Sequence, residues 1–315
     1  MKQYFAVLLA VLINSHAWAC DVCGGSAGGF GFGYLTGFKN NFVSLSYQNQ
    51  RYLSTHPKLF ENEITKQSND IFENIEVSYR HAIGNRWIAV AQLPFKHNML
   101  ISEKTYATAG IGDISLTGIY KLISQGNTTT EKQLVWQLGL KAGLPTGKNN
   151  LLFDGVWIAN MQHGSGSWSL AANSIYFYRM KQLGISGEIL AKTNGANVNQ
   201  YQFGNEILIN QDFFYRIKTS KGAYLPTFGI EFLSRAKDWE NKQNLEKNVY
   251  SGVASTSAVG GLSMYRNKFG MRIFGQMPIK STISNGYVSA KPSLKFQFIY
   301  LIPSKNLKTT QNENT

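Results

Sequence analysis

From Val135 to Leu144 the side chains change character at every step. Trp136, Leu138, Leu140, Ala142 and Leu144 fall on one face, and Val135, Gln137, Gly139, Lys141 and Gly143 on the other. Alternate residues of a strand point to opposite faces, so this pattern predicts a β-strand with one greasy face and one mostly small or polar face. The run before it does the same, with Ile114, Leu116, Gly118, Tyr120 and Leu122 set against Asp113, Ser115, Thr117 and Lys121. A polar link of Gly, Asn and Thr at 124–131 joins the two as a hairpin.

Alternating runs recur near 42–53, 70–82, 87–97, 111–123, 132–145, 167–178, 183–193, 200–216, 223–235, 250–264, 269–279 and 293–302. Most reach the nine to eleven residues that a tilted membrane-spanning strand requires, and exceed the usual globular strand. The fold expected is therefore all-β: an antiparallel transmembrane β-barrel of about twelve strands, with ten or fourteen also compatible with the pattern. Links near 54–69, 98–110, 146–166, 236–249 and 280–292 read as long, and those near 83–86, 179–182 and 265–268 as short. Long external loops alternating with short periplasmic turns are the habit of bacterial outer-membrane barrels. The short external link at 194–199 breaks the alternation. Pro94, Pro145, Pro278 and Pro303 are expected at strand ends, Pro226 and Pro292 near starts and Pro57 in a link, because a missing N–H breaks a ladder.

A soluble β-sandwich also alternates. Charge separates the two: the inward sets carry Glu76, Arg80, Lys141, Glu188, Glu206, Glu231, Arg272 and Lys295. A dry sandwich core could not bury so many charges unpaired, whereas a wet lumen can hold them, and rings of fixed charge can sort solutes. Trp87, Tyr120, Trp168, Tyr178, Tyr215, Tyr224 and Tyr300 stand near strand ends, as interfacial girdles do.

Residues 1–19 read as a cleaved secretory signal, with Lys2, an apolar core from Phe5 to Ile13 and Ala17-Trp18-Ala19 before the cut. Cleavage there makes Cys20 the first mature residue, the position acylated in lipoproteins, although bulky Trp18 departs from that pattern. Cys20 and Cys23 are the only cysteines. A disulfide or a copper- or zinc-binding thiolate pair both fit CDVCGG, and no second CxxC completes a closed zinc site. The expected layout is signal 1–19, Cys/Gly-rich periplasmic segment 20–40, barrel 41–303 and polar tail 304–315. The net charge of +13 comes from scattered Lys and Arg with no basic block. That argues against nucleic acid and for anionic lipid or an anion-preferring lumen.

His163 and Ser165 in MQHGSGSW share the His-x-Ser spacing that outer-membrane acyl hydrolases place on one strand face. The flanking glycines favour a loop instead. Gly143 to Lys148 lacks the Ser/Thr and glycine spacing of a phosphate loop, and Gly110-Ile-Gly-Asp113 precedes a strand, which excludes a dinucleotide fingerprint.

Three blocks, Gly110-Ile-Gly-Asp113, Gly139 to Gly147 (GLKAGLPTG) and Gln162 to Trp168 (QHGSGSW), resemble the outer-membrane transporter family associated with the meta-pathway of phenol degradation. The resemblance implies a barrel for passive passage of small solutes, hydrophobic ones included, with no catalytic residues and no cofactor. The expectation is thus a non-enzymatic outer-membrane channel whose partners are membrane lipid and a small solute. An acyl hydrolase using His163 and Ser165 and a metal-linked envelope protein using Cys20 and Cys23 are the alternatives.

Overall fold

The structure, a computed structural model, describes residues 41–56, 66–127, 130–220 and 222–302. The expected signal sequence, Cys20 and Cys23, and the expected C-terminal tail lie outside the described residues. Twelve antiparallel strands close into a barrel. They are β1 (Asn41–His56), β2 (Lys66–Ile83), β3 (Trp87–Ile101), β4 (Thr105–Ile111 continued by Ser115–Gln125), β5 (Lys132–Gly143) and β6 (Ser169–Met180). The circuit continues with β7 (Leu183–Asn194), β8 (Glu206–Tyr215 continued by Ile217–Thr219), β9 (Gly222–Arg235), β10 (Val253–Arg266), β11 (Phe269–Ile283) and β12 (Val288–Ala290 continued by Ser293–Ile302). Pairing of β1 with β12, from Asn41↔Ile302 to Asn49↔Leu294, closes the seam. No helix among the described residues is long and apolar enough to cross a membrane; the wall does so with strands.

The outer face is apolar. Leu45, Ile75, Val77, Leu116, Leu140, Ile189, Phe228, Leu294 and Phe298 are all exposed, Leu140 at 62%. A continuous belt of this kind is untenable in water and is what a bilayer solvates. Trp87, Tyr120, Tyr178, Tyr215, Tyr224 and Tyr300 gather at the end that carries the barrel termini, the periplasmic end by the convention of such barrels. Trp168 stands at the opposite, external end.

Strands run further than the sequence pattern indicates, and several links shrink accordingly. β3 and β4 meet across residues 102–104 alone, and β11 reaches Ile283, so the long links expected at 98–110 and 280–292 are largely strand. The external link between β7 and β8 is 195–205 rather than 194–199. The longer strands take in Pro94, Pro226 and Pro278, which sit inside elements and not at their ends. Each faces or marks an irregularity. β4 breaks at 112–114 beside Pro94, β8 breaks at Arg216 beside Pro226, and Ile279 is extruded beside Pro278. A residue without an N–H cannot serve its neighbour, and the ladder gives way there.

The lumen is also not the open aqueous bore that the charged inward sets suggest. At the periplasmic end Phe42, Val135, Phe177, Phe214, Leu225, Tyr265, Ile299 and Leu301 form a buried apolar floor. The Phe177 and Phe214 rings stack with centroids 5.3 Å apart. Arg80, buried beside this floor, places its guanidinium over the Phe42 ring at 5.6 Å.

Candidate functional site: a lidded lumen with a notched wall

Above the floor, inward polar side chains are threaded into a network. Glu76 accepts from Ser78 Oγ at 2.9 Å and Gln92 Nε2 at 2.8 Å. Gln92 Oε1 in turn accepts from Lys141 Nζ at 2.8 Å and Ser115 Oγ at 3.2 Å. Asn173 donates to Glu188 at 2.9 Å, Gln276 to Glu231 at 2.8 Å, and Arg272 to Gln297 at 3.2 Å. Glu206 and Arg235, paired across β8 and β9, form an ion pair at 2.7 Å with both side chains buried. The eight charged residues singled out from sequence, Glu76, Arg80, Lys141, Glu188, Glu206, Glu231, Arg272 and Lys295, all lie on the inward face. Their neutral partners Gln92, Asn173 and Gln276 escaped that reading because only charge was sought, and the counter-ion Arg235, at the very end of its run, was not singled out either.

The external mouth is covered by the loop 144–168, whose 3-10 turn Ala159–Met161 reaches the lumen. What holds the lid is a knot built from three sequence blocks. At the break in β4 the Asp113 carboxylate accepts from Gly147 N at 3.0 Å, Ser165 N at 2.7 Å and Ser165 Oγ at 2.7 Å. Thr146 Oγ1 accepts from Ile114 N at 2.9 Å and donates to the Gly112 carbonyl at 3.1 Å. Lys148 O accepts from the amides of His163 and Gly164. The backbones of Gly147 and Gly164 touch, so a Cβ on Gly147 would lie 2.7 Å from the Gly164 Cα. The Gly-rich blocks at 110–113, 144–147 and 162–168 are therefore one structural unit.

His163 and Ser165 both belong to this knot, each with its own hydrogen-bond partner. His163 Nε2 is bonded to Thr108 Oγ1 at 2.6 Å, while the Ser165 hydroxyl is given to Asp113 and also lies 2.9 Å from Ser167 O. Burial, with Lys96 and Lys148 nearby, holds the imidazole below the usual histidine range, so it stays neutral in the lid. The His-x-Ser spacing thus serves loop anchoring. Among the described residues there is no group of three or more His, Cys, Asp or Glu placed to hold a metal.

Four cavities follow one another through the molecule. An external vestibule of about 480 Å³ lies among Tyr201, Tyr250, Tyr287 and Trp157. It shares Ala159 and Asn160 of the lid with a lumenal cavity of about 180 Å³. That cavity shares Gln48, Gln50 and Arg235 with a third, of about 60 Å³, on the inner side of the wall. The third shares Arg51, Gln276 and Ser293 with a groove of about 570 Å³ on the lipid-facing side. The wall is interrupted between these two. After Gln276↔Ser293 the β11–β12 ladder resumes only at Ile283↔Val288, with seven steps on one strand against five on the other. Pro278, the extruded Ile279 and Pro292 occupy this notch. None of Arg51, Gln276 or Ser293 stands out in the sequence, since only the register brings them together.

No protein-family model matches the chain, and no curated protein matches it. Among solved structures the fold is similar to an outer membrane channel from Pseudomonas putida F1, at 10% identity and a TM-score of 0.62, covering 84% of this chain and 96% of that one. The β-domain of the Bordetella autotransporter BrkA aligns over 84% of this chain and 100% of its own, at 9% identity and a TM-score of 0.46. The chain thus has the fold of an outer-membrane β-barrel.

Proposed function

We propose that this protein is a non-enzymatic outer-membrane channel that passes a small, predominantly apolar solute from the external mouth to the wall notch and sideways into the bilayer. The observation that carries this reading is the series of four cavities linked by shared lining residues, together with the apolar floor that closes the straight axial path. A polar solute moving to the periplasm would need that floor to open. An apolar solute needs only the lid and the notch, and its destination is already greasy. The lumenal charges that line the route are engaged by amide and hydroxyl partners, and Glu206 by Arg235, so the polar wall already has protein partners when a solute enters. An exported precursor with a cleaved signal at 1–19 is part of the same proposal, as is the outer membrane as its location.

The test uses cells that express the full chain and an uncharged aromatic fluorophore, 1-N-phenylnaphthylamine, which the outer leaflet of the outer membrane admits slowly. Expression should accelerate its uptake. Gln276→Cys with Ser293→Cys, directly opposed across β11 and β12, should slow it when oxidised and restore it on reduction. Uptake indifferent to that cross-link, with a hydrophilic sugar passing freely in liposome swelling, would replace the lateral route by an ordinary axial pore.

A further inference from the structure

We infer that the lipid-facing groove beside the notch is a binding site for a single-chain anionic amphiphile, a long-chain carboxylate, with its head group at Arg51 and Lys291 and its tail lying along Gly260 and Gly275. The inference rests on the lateral-route reading above and gives it a substrate class.

The groove exists because two outward positions that face each other, Gly260 and Gly275, carry no side chain. Packing does not require glycine at either. A Cβ on Gly260 would meet nothing nearer than the Thr227 carbonyl at 3.9 Å, and one on Gly275 nothing nearer than Leu294 Cδ2 at 3.8 Å. At many other positions in this barrel glycine is forced by close approach, as where Gly147 and Gly164 meet, although a Cβ on Gly118 would also stand in open space. Here two glycines, which are poor strand formers, leave a hollow on a face that otherwise bears large apolar side chains. Phe228, Met277 and Leu294 wall it. Its volume of about 570 Å³ falls within the range of small-molecule sites.

Charge supplies the head-group end. Arg51 lines both the inner cavity and the outer groove, Lys291 lines the inner one, and the Arg51 carbonyl accepts from the Lys291 amide at 2.9 Å, which sets the two residues opposite each other at the notch. Lys280 is carried on the β11 edge of the same notch. The acidic neighbour on the outward face, Glu73, is engaged by Tyr47 at 2.5 Å, Asn49 at 3.3 Å and His97 at 2.8 Å. Arg51 Nε donates to the neutral Asn49 Oδ1 at 3.1 Å. Inside the wall, Glu231 is bonded to Gln276. The notch rim is therefore cationic where a solute's head would rest.

Height agrees. Arg51 stands ten residues above Asn41 on β1, which at a rise of ~3.3 Å and a tilt of ~40° is about 25 Å, the outer edge of the apolar band. The glycine pair lies deeper, because Gly275 is opposite Leu294, which pairs with Asn49. A head at the interface and a tail descending toward mid-bilayer is the orientation of an amphiphile in the outer leaflet.

The full chain in neutral detergent micelles is titrated with 11-(dansylamino)undecanoate, and the bound probe is displaced by laurate, dodecanol or phosphatidylglycerol. Laurate should displace it about tenfold more effectively than dodecanol, as a charge-assisted contact warrants. Arg51→Gln with Lys291→Gln should remove that preference, and Gly260→Leu should weaken laurate and dodecanol alike. Equal displacement by laurate and dodecanol in the unaltered chain, or a preference untouched by the double charge variant, would overturn the site. Displacement by phosphatidylglycerol as effective as by laurate would also overturn it, by making the groove an ordinary lipid-annulus contact. Uptake of 1-N-phenylnaphthylamine is measured on the same variants. Binding without accelerated uptake sinks the channel reading and leaves the site, whereas uptake without binding does the reverse.

Discussion

One oxygen of the Asp113 carboxylate receives both the amide and the hydroxyl of Ser165, each at 2.7 Å, and its other oxygen receives Gly147 N. A strand break and a lid loop separated by 52 positions are thereby tied by charge-assisted bonds. Asp113→Ala should release the lid at a local cost of about 2 kcal/mol, discounted because the site is only partly buried. Limited proteolysis of intact cells should cut within 144–168 sooner, while the thermal unfolding of the barrel stays nearly unchanged. A lid as protected as before would show that the glycine contacts suffice alone.

Gly164→Ala tests those contacts. The added methyl would stand 2.5 Å from both the Gly147 carbonyl oxygen and Asp113 Oδ1, so the knot must open to admit it. Gly118→Ala, where a Cβ meets nothing within 4 Å, is the matched control. Uptake of the apolar fluorophore should rise in the first variant alone.

At the opposite end, Arg179 is fully buried and donates to the carbonyls of Lys181 at 2.8 Å, Thr130 at 2.8 Å and Asn127 at 3.0 Å. It binds the β4–β5 turn to the β6–β7 turn. Arg179→Met should cost roughly 2–3 kcal/mol by orphaning those acceptors, read as a lower urea midpoint for the barrel in micelles.

Leu140 is outward and 62% exposed, while its neighbour Lys141 lines the lumen. Leu140→Arg should destabilise by roughly 2–4 kcal/mol if it lies near the bilayer midplane. Leu140→Ala should cost far less. Equal effects in a lipid-based unfolding titration would mean that the belt does not face acyl chains.

Acidity should act on the external loops. Asp238 is buried, which pushes its carboxyl above the usual range, while Tyr201, Gly204 and Arg235 pull it back. It accepts from Tyr201 Oη and Gly204 N, both at 2.6 Å. Because the folded loop favours the protonated form, its docking is strongest below about pH 4, the ordinary aspartate value, and weakens as pH rises through the raised one. Hydrogen exchange across 195–205, corrected for intrinsic rate, should show that loss of protection, and Asp238→Asn should flatten it.

The wall was legible in the sequence because period-two alternation is a local property. Each of the twelve runs corresponds to a strand, and the outward Trp136, Leu138 and Leu140 read correctly at sight. The floor was not legible. Val135 sits on the same face as Gln137 and Lys141, and alternation says which residues share a face without saying how the enclosed space is filled. The knot was visible as three Gly-rich words, yet their meeting depends on a break in β4 that Pro94 only hints at. The notch is still less local, since it rests on register between β11, β12 and β1 and on two glycines that no turn demands.

The floor also constrains how the molecule is made. Its residues come from β1, β5, β6, β8, β9, β10 and β12, the first and last strands included. No partial sheet can assemble it, so until the seam forms between Asn41 and Ile302 the nascent barrel is a curved sheet with aromatic rings facing an unsealed interior. Contacts this distant in sequence form slowly, and Gln297 donating to Ser44 across 253 positions is among them. Seam closure and sealing of the periplasmic end are then a single late event, and a chain stalled before it would leave the membrane leaky at that end.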